Sequence, residues 1–318
     1  MTTFAQTVGT SSPTSGSKRI RSRIRNGWGT LRRSPRMFTG VIIIALFVLV
    51  AIYGALFVHD ANSFGAPILR GPSLHYPLGT TQLGQNVLSQ LIGSTGPTLE
   101  VGFGAGLIAT FLAVAIGIGG AFIGGKSDEL LNVFTNIILV IPVMPLVIVV
   151  ASVLKAGGIG PMILVIAFTS WAGTARILRS LTLSMRSRDY ILASKVSGEK
   201  TWRVVIVELL PNTVAFVVSG FIFTVIFAIL TQAGLAFLGV GNTSALTWGN
   251  MLYWAQNDGV LQVGGWWWFV PPGLCIAMLG TGLALINFGL DEMLNPRLRS
   301  LRPVRTVSHE FDGESAGN

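Results

Sequence analysis

Apolar runs of about twenty residues recur along this sequence and are separated by short polar segments. A helix of about 20 apolar residues is long enough to cross the hydrocarbon core of a bilayer. Only 11% of the 318 residues are charged, whereas a typical soluble domain has about 25%. The pattern therefore predicts an all-α polytopic membrane protein.

The apolar runs fit six transmembrane helices. We place these spans at Met37–Val58, Val101–Ile123, Leu130–Leu154, Ile159–Ala175, Val214–Leu230 and Trp267–Leu290. The third span contains Pro142 and Pro145, which a membrane helix tolerates where neighbouring groups satisfy the freed carbonyls. The spans and their loops fill residues 37–302, between a basic leader of residues 1–36 and a polar tail of residues 303–318.

The positive charges predict how the spans are oriented. Twenty of the 22 Lys and Arg residues lie in the leader, in alternate loops and in the tail, whereas Arg70 and Lys155 lie in the remaining loops. Because Lys and Arg are retained on the cytoplasmic side, we expect both termini to be cytoplasmic, the N-in/C-in arrangement. The cluster Trp266–Trp268 then falls at the outer membrane surface, where aromatic belts occur.

Composition excludes several classes of site. The single cysteine, Cys275, rules out an intramolecular disulfide and a zinc cage built on several thiolates. The three histidines are far apart in the sequence, so we expect no metal site. The net charge of +9 follows the predicted topology, which favours an orientation signal over a nucleic-acid partner.

Residues Gly120–Ser127 fit the pattern G-x-x-x-x-G-K-[ST] of a phosphate-binding loop. Such a loop functions where it follows a strand and opens a helix, because backbone N–H groups must converge on phosphate. Here the first half of the match ends an apolar run. We therefore predict no nucleotide site, and no cofactor, in this chain.

The most polar run between two apolar blocks is Asp189–Asn212, within a loop that we place at residues 186–212. We expect this loop to form a pair of short helices that docks a partner in water. Gly198 accepts the positive φ at which one helix ends and another begins at an angle. Pro211 suits the N-terminus of the fifth span.

This loop also carries a family signature. Tyr190, Ala193 and Gly198, followed after about a dozen residues by Leu210-Pro211-Asn212, match its pattern. The segment resembles the cytoplasmic coupling loop of permeases of binding-protein-dependent ATP-binding cassette (ABC) importers. Three further stretches are similar to the C-type subunit of the dipeptide and oligopeptide branch. These are Leu78–Leu91, Leu235–Leu252 and Asn295–Arg299.

The sequence departs from the family pattern in two loops. In the coupling loop, Leu192 stands where the family has Glu, and Ser194 replaces an Ala. In the first outer loop, Thr81, Gln85 and Asn86 stand where the family has charged residues. A neutral outer loop would suit a sugar, so oligosaccharide import remains an alternative to peptide import.

The resemblance implies a transport subunit of a prokaryotic cytoplasmic membrane, without an ATPase site of its own. Its implied partners are a second homologous permease, two ABC ATPase subunits that bind ATP and Mg, an external solute-binding protein and membrane lipid. The residues implied in coupling to the ATPases are Tyr190, Ala193, Gly198, Lys200, Arg203 and Pro211. The outer residues implied in facing substrate or binding protein are Thr81, Gln85, Asn86, Trp248 and Asn250.

An ion-coupled secondary carrier or channel is the alternative of another class. Such carriers usually place carboxylates or paired charges within the membrane. The six predicted spans contain no Asp, Glu, Lys or Arg in their interiors. This absence favours an energy source that acts through the charged loop.

Overall fold

The computed structural model describes residues 34–58, 60–153 and 158–294. Within these ranges the chain is helical, and its β pairing is limited to a single bridge between Thr80 and Asn86. The leader up to residue 33, Lys155 and the tail lie outside the described residues. The family-like stretch Asn295–Arg299 lies outside them too.

Nine helices organise the described chain, and two of them contain π-helical turns. Helix α2 includes the π segment Ala115–Gly120, and α7 includes the π segment Val204–Leu209. The helices are α1 Pro35–Phe57, α2 Val87–Ile123, α3 Gly125–Val140, α4 Val143–Val153, α5 Ile159–Arg186, α6 Asp189–Val196, α7 Thr201–Phe237, α8 Trp248–Asn257 and α9 Trp266–Leu294.

The lengths and hydropathy of these helices confirm an all-helical polytopic membrane protein. Five described helices are long and apolar enough to cross a membrane, and there are six candidate spans when α3 and α4 are counted as one. The first and sixth predicted spans agree closely with α1 and α9. The other four differ from the prediction in physically informative ways.

The second span begins earlier than predicted. Asn86 caps α2 by accepting a hydrogen bond from the Leu88 amide at 3.0 Å, so the helix starts at Val87 rather than Val101. Its first turns contain hydroxyl groups that lower the hydropathy but bond within the helix, as Thr98 does to the Ser94 carbonyl. The longer helix includes Glu100, which lies outside the predicted second span.

The third span is not one straight helix. Its two halves, α3 and α4, meet at an angle of 94°. Ile141 has φ −74° and ψ 125°, which is the extended backbone that a residue before proline favours. Pro142 therefore ends α3 and turns the chain into α4.

The fourth and fifth spans extend well beyond their apolar cores. Helix α5 continues from the predicted end at Ala175 to Arg186. Helix α7 begins at Thr201, ahead of the predicted Val214, and includes the loop's second half. Pro211 lies in the first turn of the α-helical segment Leu210–Phe237, but this segment continues from a π turn rather than starting the helix.

Helix α2 lies at the centre of the described bundle and packs against α1, α5 and α7. Glycines allow the close approach. A Cβ atom on Gly102 would lie 2.5 Å from Ile229, and one on Gly106 would lie 2.5 Å from Val225. Small residues at these positions thus serve helix contacts within this chain.

Candidate functional site

The charged loop folds into a helix, a turn and the start of a second helix. Helix α6 ends at a turn in which the Gly198 amide donates to the Lys195 carbonyl at 3.1 Å and the Glu199 amide donates to the Ser194 carbonyl at 3.1 Å. Gly198 has φ +76°, the left-handed conformation common at helix C-termini. Helix α7 then starts at Thr201.

One face of α6 is anchored to the membrane helices. The Ile191 side chain is fully buried. The Ser194 hydroxyl donates to a carboxylate oxygen of Glu208, in the π segment of α7. The Lys195 ammonium lies 4.5 Å from the ring centroid of Phe122 near the C-terminal end of α2. The sequence motif did not identify these anchors, although residues 191, 194 and 195 have the spacing of one helix face.

The phosphate-loop match at Gly120–Ser127 contacts α6 and the end of α5. It contains the last residues of α2 and the first residues of α3. Arg186 donates from Nη1 to the Ala121 carbonyl at 3.1 Å. Gly124 has φ +73° and ψ −164°, a backbone conformation that is essentially restricted to glycine.

The opposite face of the helix pair is exposed. The side chains of Val196 and Trp202 are 90% and 60% exposed, and Leu192, at the position of the family's Glu, is exposed as well. The predicted coupling residues are all on the surface of the described chain: Tyr190, Ala193, Gly198, Lys200, Arg203 and Pro211. Nη1 of Arg203 also lies 3.5 Å from Oε1 of Glu199, four residues earlier in the chain.

An ion pair connects α3 and α5 next to the Gly120–Ser127 segment. Arg179 of α5 donates from Nε and Nη2 to the two carboxylate oxygens of Asp128 in α3, at 2.8 and 2.9 Å. Such bidentate pairs fix geometry as well as charge. The ion pair thus holds α3 against the part of α5 that leads into the charged loop.

Of the residues predicted to face substrate or binding protein, some are buried or cap a helix, and others line a pocket. Asn86 caps α2, as described above. Thr81 is fully buried, and its hydroxyl accepts from the Gln85 amide at 3.1 Å. Trp248 is also fully buried and donates from Nε1 to the Leu91 carbonyl at 3.2 Å. These two side chains support the fold and are not presented at the surface of the described chain.

Gln85 and Asn250 line a pocket of about 190 Å³ between the outer segments. The pocket wall also includes Asn62, Gln90, Trp254, Asp258 and Trp268. Burial raises the pKa of the Asp258 carboxyl above its usual range, and a hydrogen bond from Asn257 partly opposes this shift. Sequence reasoning missed Gln90 and Asp258, because the walls come from distant parts of the chain.

Comparison with known proteins identifies the family. A model described as the inner membrane component of binding-protein-dependent transport systems matches residues 107–300. The dipeptide transport system permease protein DppC of Bacillus subtilis is 31% identical over 284 residues, covering 87% of this chain and 87% of the relative. The oligopeptide permease protein OppC of the same organism is 30% identical over 291 residues, covering 89% and 92%.

A more distant relative extends the same pattern to another bacterial group. The oligopeptide transport system permease protein OppC of Mycobacterium tuberculosis (strain H37Rv) is 28% identical over 247 residues, covering 77% of this chain and 83% of the relative. With its apolar helices, this chain is a multi-pass protein of the bacterial cytoplasmic membrane. It belongs to the family of binding-protein-dependent transport system inner membrane components.

Proposed function

We propose that this chain is the permease subunit of an ABC importer that moves a peptide-like solute into the cell. Both termini and the helix pair α6–α7 are cytoplasmic, and the pocket lined by Gln85 and Asn250 is external. Two ATPase subunits bind ATP and Mg, a second homologous permease completes the pathway, and an external protein delivers the solute. The alternation of Lys and Arg between loops supports this orientation.

The exposed face of the helix pair carries the proposal. Val196, Trp202 and Leu192 present apolar surface beside the charges of Lys200 and Arg203. Clustered exposed apolar side chains of this kind mark protein interaction sites. A groove on the ATPase that covers them would bind by apolar packing and by the remaining charges, since the family's Glu is replaced by Leu192.

The mechanism requires no bond chemistry in this subunit. The closed ATPase pair binds one conformer of the permease more tightly than the other, and this difference shifts the population between outward-open and inward-open forms. Ile191, Ser194 and Lys195 transmit the displacement, because they attach α6 to α7 and to the inner end of α2.

The relatives' names support a peptide cargo. The two Bacillus subtilis proteins that match most of this chain are a dipeptide and an oligopeptide permease. The identities near 30% run over nearly the full length of both chains. We therefore assign a peptide-like solute to this importer.

Replacement of Gly198 tests the coupling role. Gly198 and Gly264 have φ values of +76° and +79°, and a Cβ atom at either position meets nothing within 4 Å. Alanine at either site therefore costs only backbone strain, about 1 kcal/mol. In proteoliposomes with the partner subunits, we expect Gly198→Ala to lower solute uptake per ATP hydrolysed and Gly264→Ala to leave it unchanged.

The Gly198→Asn variant completes the test. Asparagine tolerates the left-handed conformation better than alanine does, so it should restore part of the coupling. Both alanine variants should still insert into the membrane. Equal coupling in Gly198→Ala and Gly264→Ala would contradict the role assigned to this turn.

A further inference from the structure

In the pocket lined by Gln85 and Asn250, two amide side chains already use both hydrogens of their NH2 groups, whereas the buried Nε1 of Trp268 has no partner among the described residues. Asn250 donates both hydrogens of Nδ2, to the carbonyls of Asn242 at 2.9 Å and Ala245 at 2.7 Å. Gln90 donates from Nε2 to Asn62 at 3.1 Å and to Gln85 at 2.7 Å. The side-chain carbonyls of Asn250 and Gln90 receive no donor from the described residues and remain free acceptors.

Asp258 is the single ionisable side chain among the described wall residues, and it adds negative charge. Asp258 directly follows the last residue of α8. A helix C-terminus carries partial negative charge and favours Lys, Arg or His, so an aspartate there reinforces the field instead of neutralising it. The exposed Trp254 on the same wall offers an aromatic face, which also attracts cations.

The described residues of this chain do not supply a positive charge to the pocket. In residues 60–86 and 238–265 the only Lys or Arg is Arg70. Arg70 does not line the pocket, and within the described residues it forms no ion pair. Lys155, in the other loop predicted to be outer, lies outside the described residues. A basic group of another molecule would complement the charge of Asp258.

The size of the pocket indicates what kind of molecule this is. Small-molecule sites usually have volumes of about 300–1,000 Å³, and this pocket has about 190 Å³. That space suits one side chain rather than a peptide of several residues. The family is defined by its dependence on a binding protein, which would approach this outer surface.

We propose that a lysine or arginine side chain of the external solute-binding protein inserts into this pocket and pairs with Asp258. This inference rests on the proposed function, because it requires the pocket to face outward. The free carbonyls of Gln90 and Asn250 accept the remaining hydrogens of the ammonium or guanidinium group. Buried, hydrogen-bonded walls hold these acceptors in place before docking, which reduces the entropy lost on binding.

Docking measurements with the assembled importer test the proposal. The complex is placed in lipid nanodiscs, and the Kd of its solute-loaded binding protein is measured at low and high salt. We expect Asp258→Asn to weaken docking by about tenfold to a hundredfold, the range for a hydrogen bond to a charged group. The variant should also lose most of the salt dependence, because screening weakens a charge pair.

Asp60→Asn is the matched control. Asp60 is an exposed carboxylate of the same outer segments and does not line the pocket, so its variant should dock like the wild type. An acidic substitution of the responsible basic residue of the binding protein should restore docking to Asp258→Lys. This charge exchange would also identify the partner residue.

Three results would overturn the proposal. Docking of Asp258→Asn with wild-type affinity and salt dependence would contradict it directly. Unchanged docking with a selective loss of uptake of basic solutes would assign the pocket to the cargo instead. If the wild-type complex neither docked the binding protein nor responded to it with ATP hydrolysis, the proposed function itself would fail, and this inference with it.

Discussion

Removal of the Ser194 hydroxyl should loosen the contact between the helix pair and the membrane helices. Ser194 donates to one carboxylate oxygen of Glu208, and the other carboxylate oxygen is buried without a hydrogen-bond partner among the described residues. Ser194→Ala therefore removes the bond that satisfies this carboxylate. The same position is an alanine in the family pattern, so the variant changes no backbone preference of consequence.

The expected magnitude follows from the environment of this bond. A hydrogen bond to a charged group contributes about 1.5–3 kcal/mol. This one is only partly buried, so we take the lower end, about 1.5 kcal/mol. Each 1.4 kcal/mol corresponds to about a tenfold change in an equilibrium constant. Opening of α6 away from α7 should therefore become about tenfold more frequent.

Hydrogen exchange of the α6 amides measures this opening directly, because exchange reports local unfolding. In the assembled importer we expect the amides of residues 189–197 to exchange about tenfold faster in Ser194→Ala, and uptake per ATP to fall. Ser197→Ala is the control, since Ser197 is exposed at the end of the same helix and its hydroxyl bonds to no described residue. Equal exchange in the two variants would refute the reasoning.

Two further predictions concern the packing of α5 against the C-terminal end of α2 and against α3. Gly117→Ala places a Cβ atom 2.5 Å from a backbone carbonyl of α5, whereas a Cβ atom at Gly119 meets nothing within 4 Å. Gly117→Ala should therefore lower the thermal denaturation midpoint, with a loss of about 1–3 kcal/mol in stability. Gly119→Ala should leave the midpoint unchanged. Arg179→Ala leaves the carboxylate of Asp128, 13% exposed, without its bidentate partner, and should lower the same midpoint by more than Arg179→Lys, which keeps the charge. Arg188→Ala removes an exposed arginine without a described ion pair and should change little; a loss as large as that of Arg179→Ala would show that the ion pair is not the cause.

Hydropathy predicted the spans most accurately where side chains are exposed on the bundle surface. It was least accurate where polar side chains pack against other helices. Helix α1, which is mostly exposed, agrees with its predicted span. The first turns of α2, residues 87–100, lie outside the predicted second span. Hydroxyl groups such as that of Thr95, which donates to the Leu91 carbonyl at 2.9 Å, satisfy their hydrogen bonds within the helix and so tolerate burial.

Local sequence identified the turn of the helix pair but not its attachments. The positive φ at Gly198 follows from local chemistry. The contact between Lys195 and Phe122 joins residues far apart in the chain, and no local pattern contains it. No local pattern contains the pocket either, because Gln90, Asn250 and Asp258 come together only through the packing of α2 and α8.

Helix α2 connects the two sites physically. Gln90, near its N-terminal end, belongs to the pocket wall, and Ala121 and Phe122, near its C-terminal end, contact Arg186 and Lys195. Its 37 residues form one continuous helix, about 55 Å long. Its π segment lies immediately before the inner contacts, and π turns within helices often occur at functional sites. We expect a displacement of the helix pair to reach the pocket wall through α2, with Pro97 and the π segment as the points at which this helix can bend.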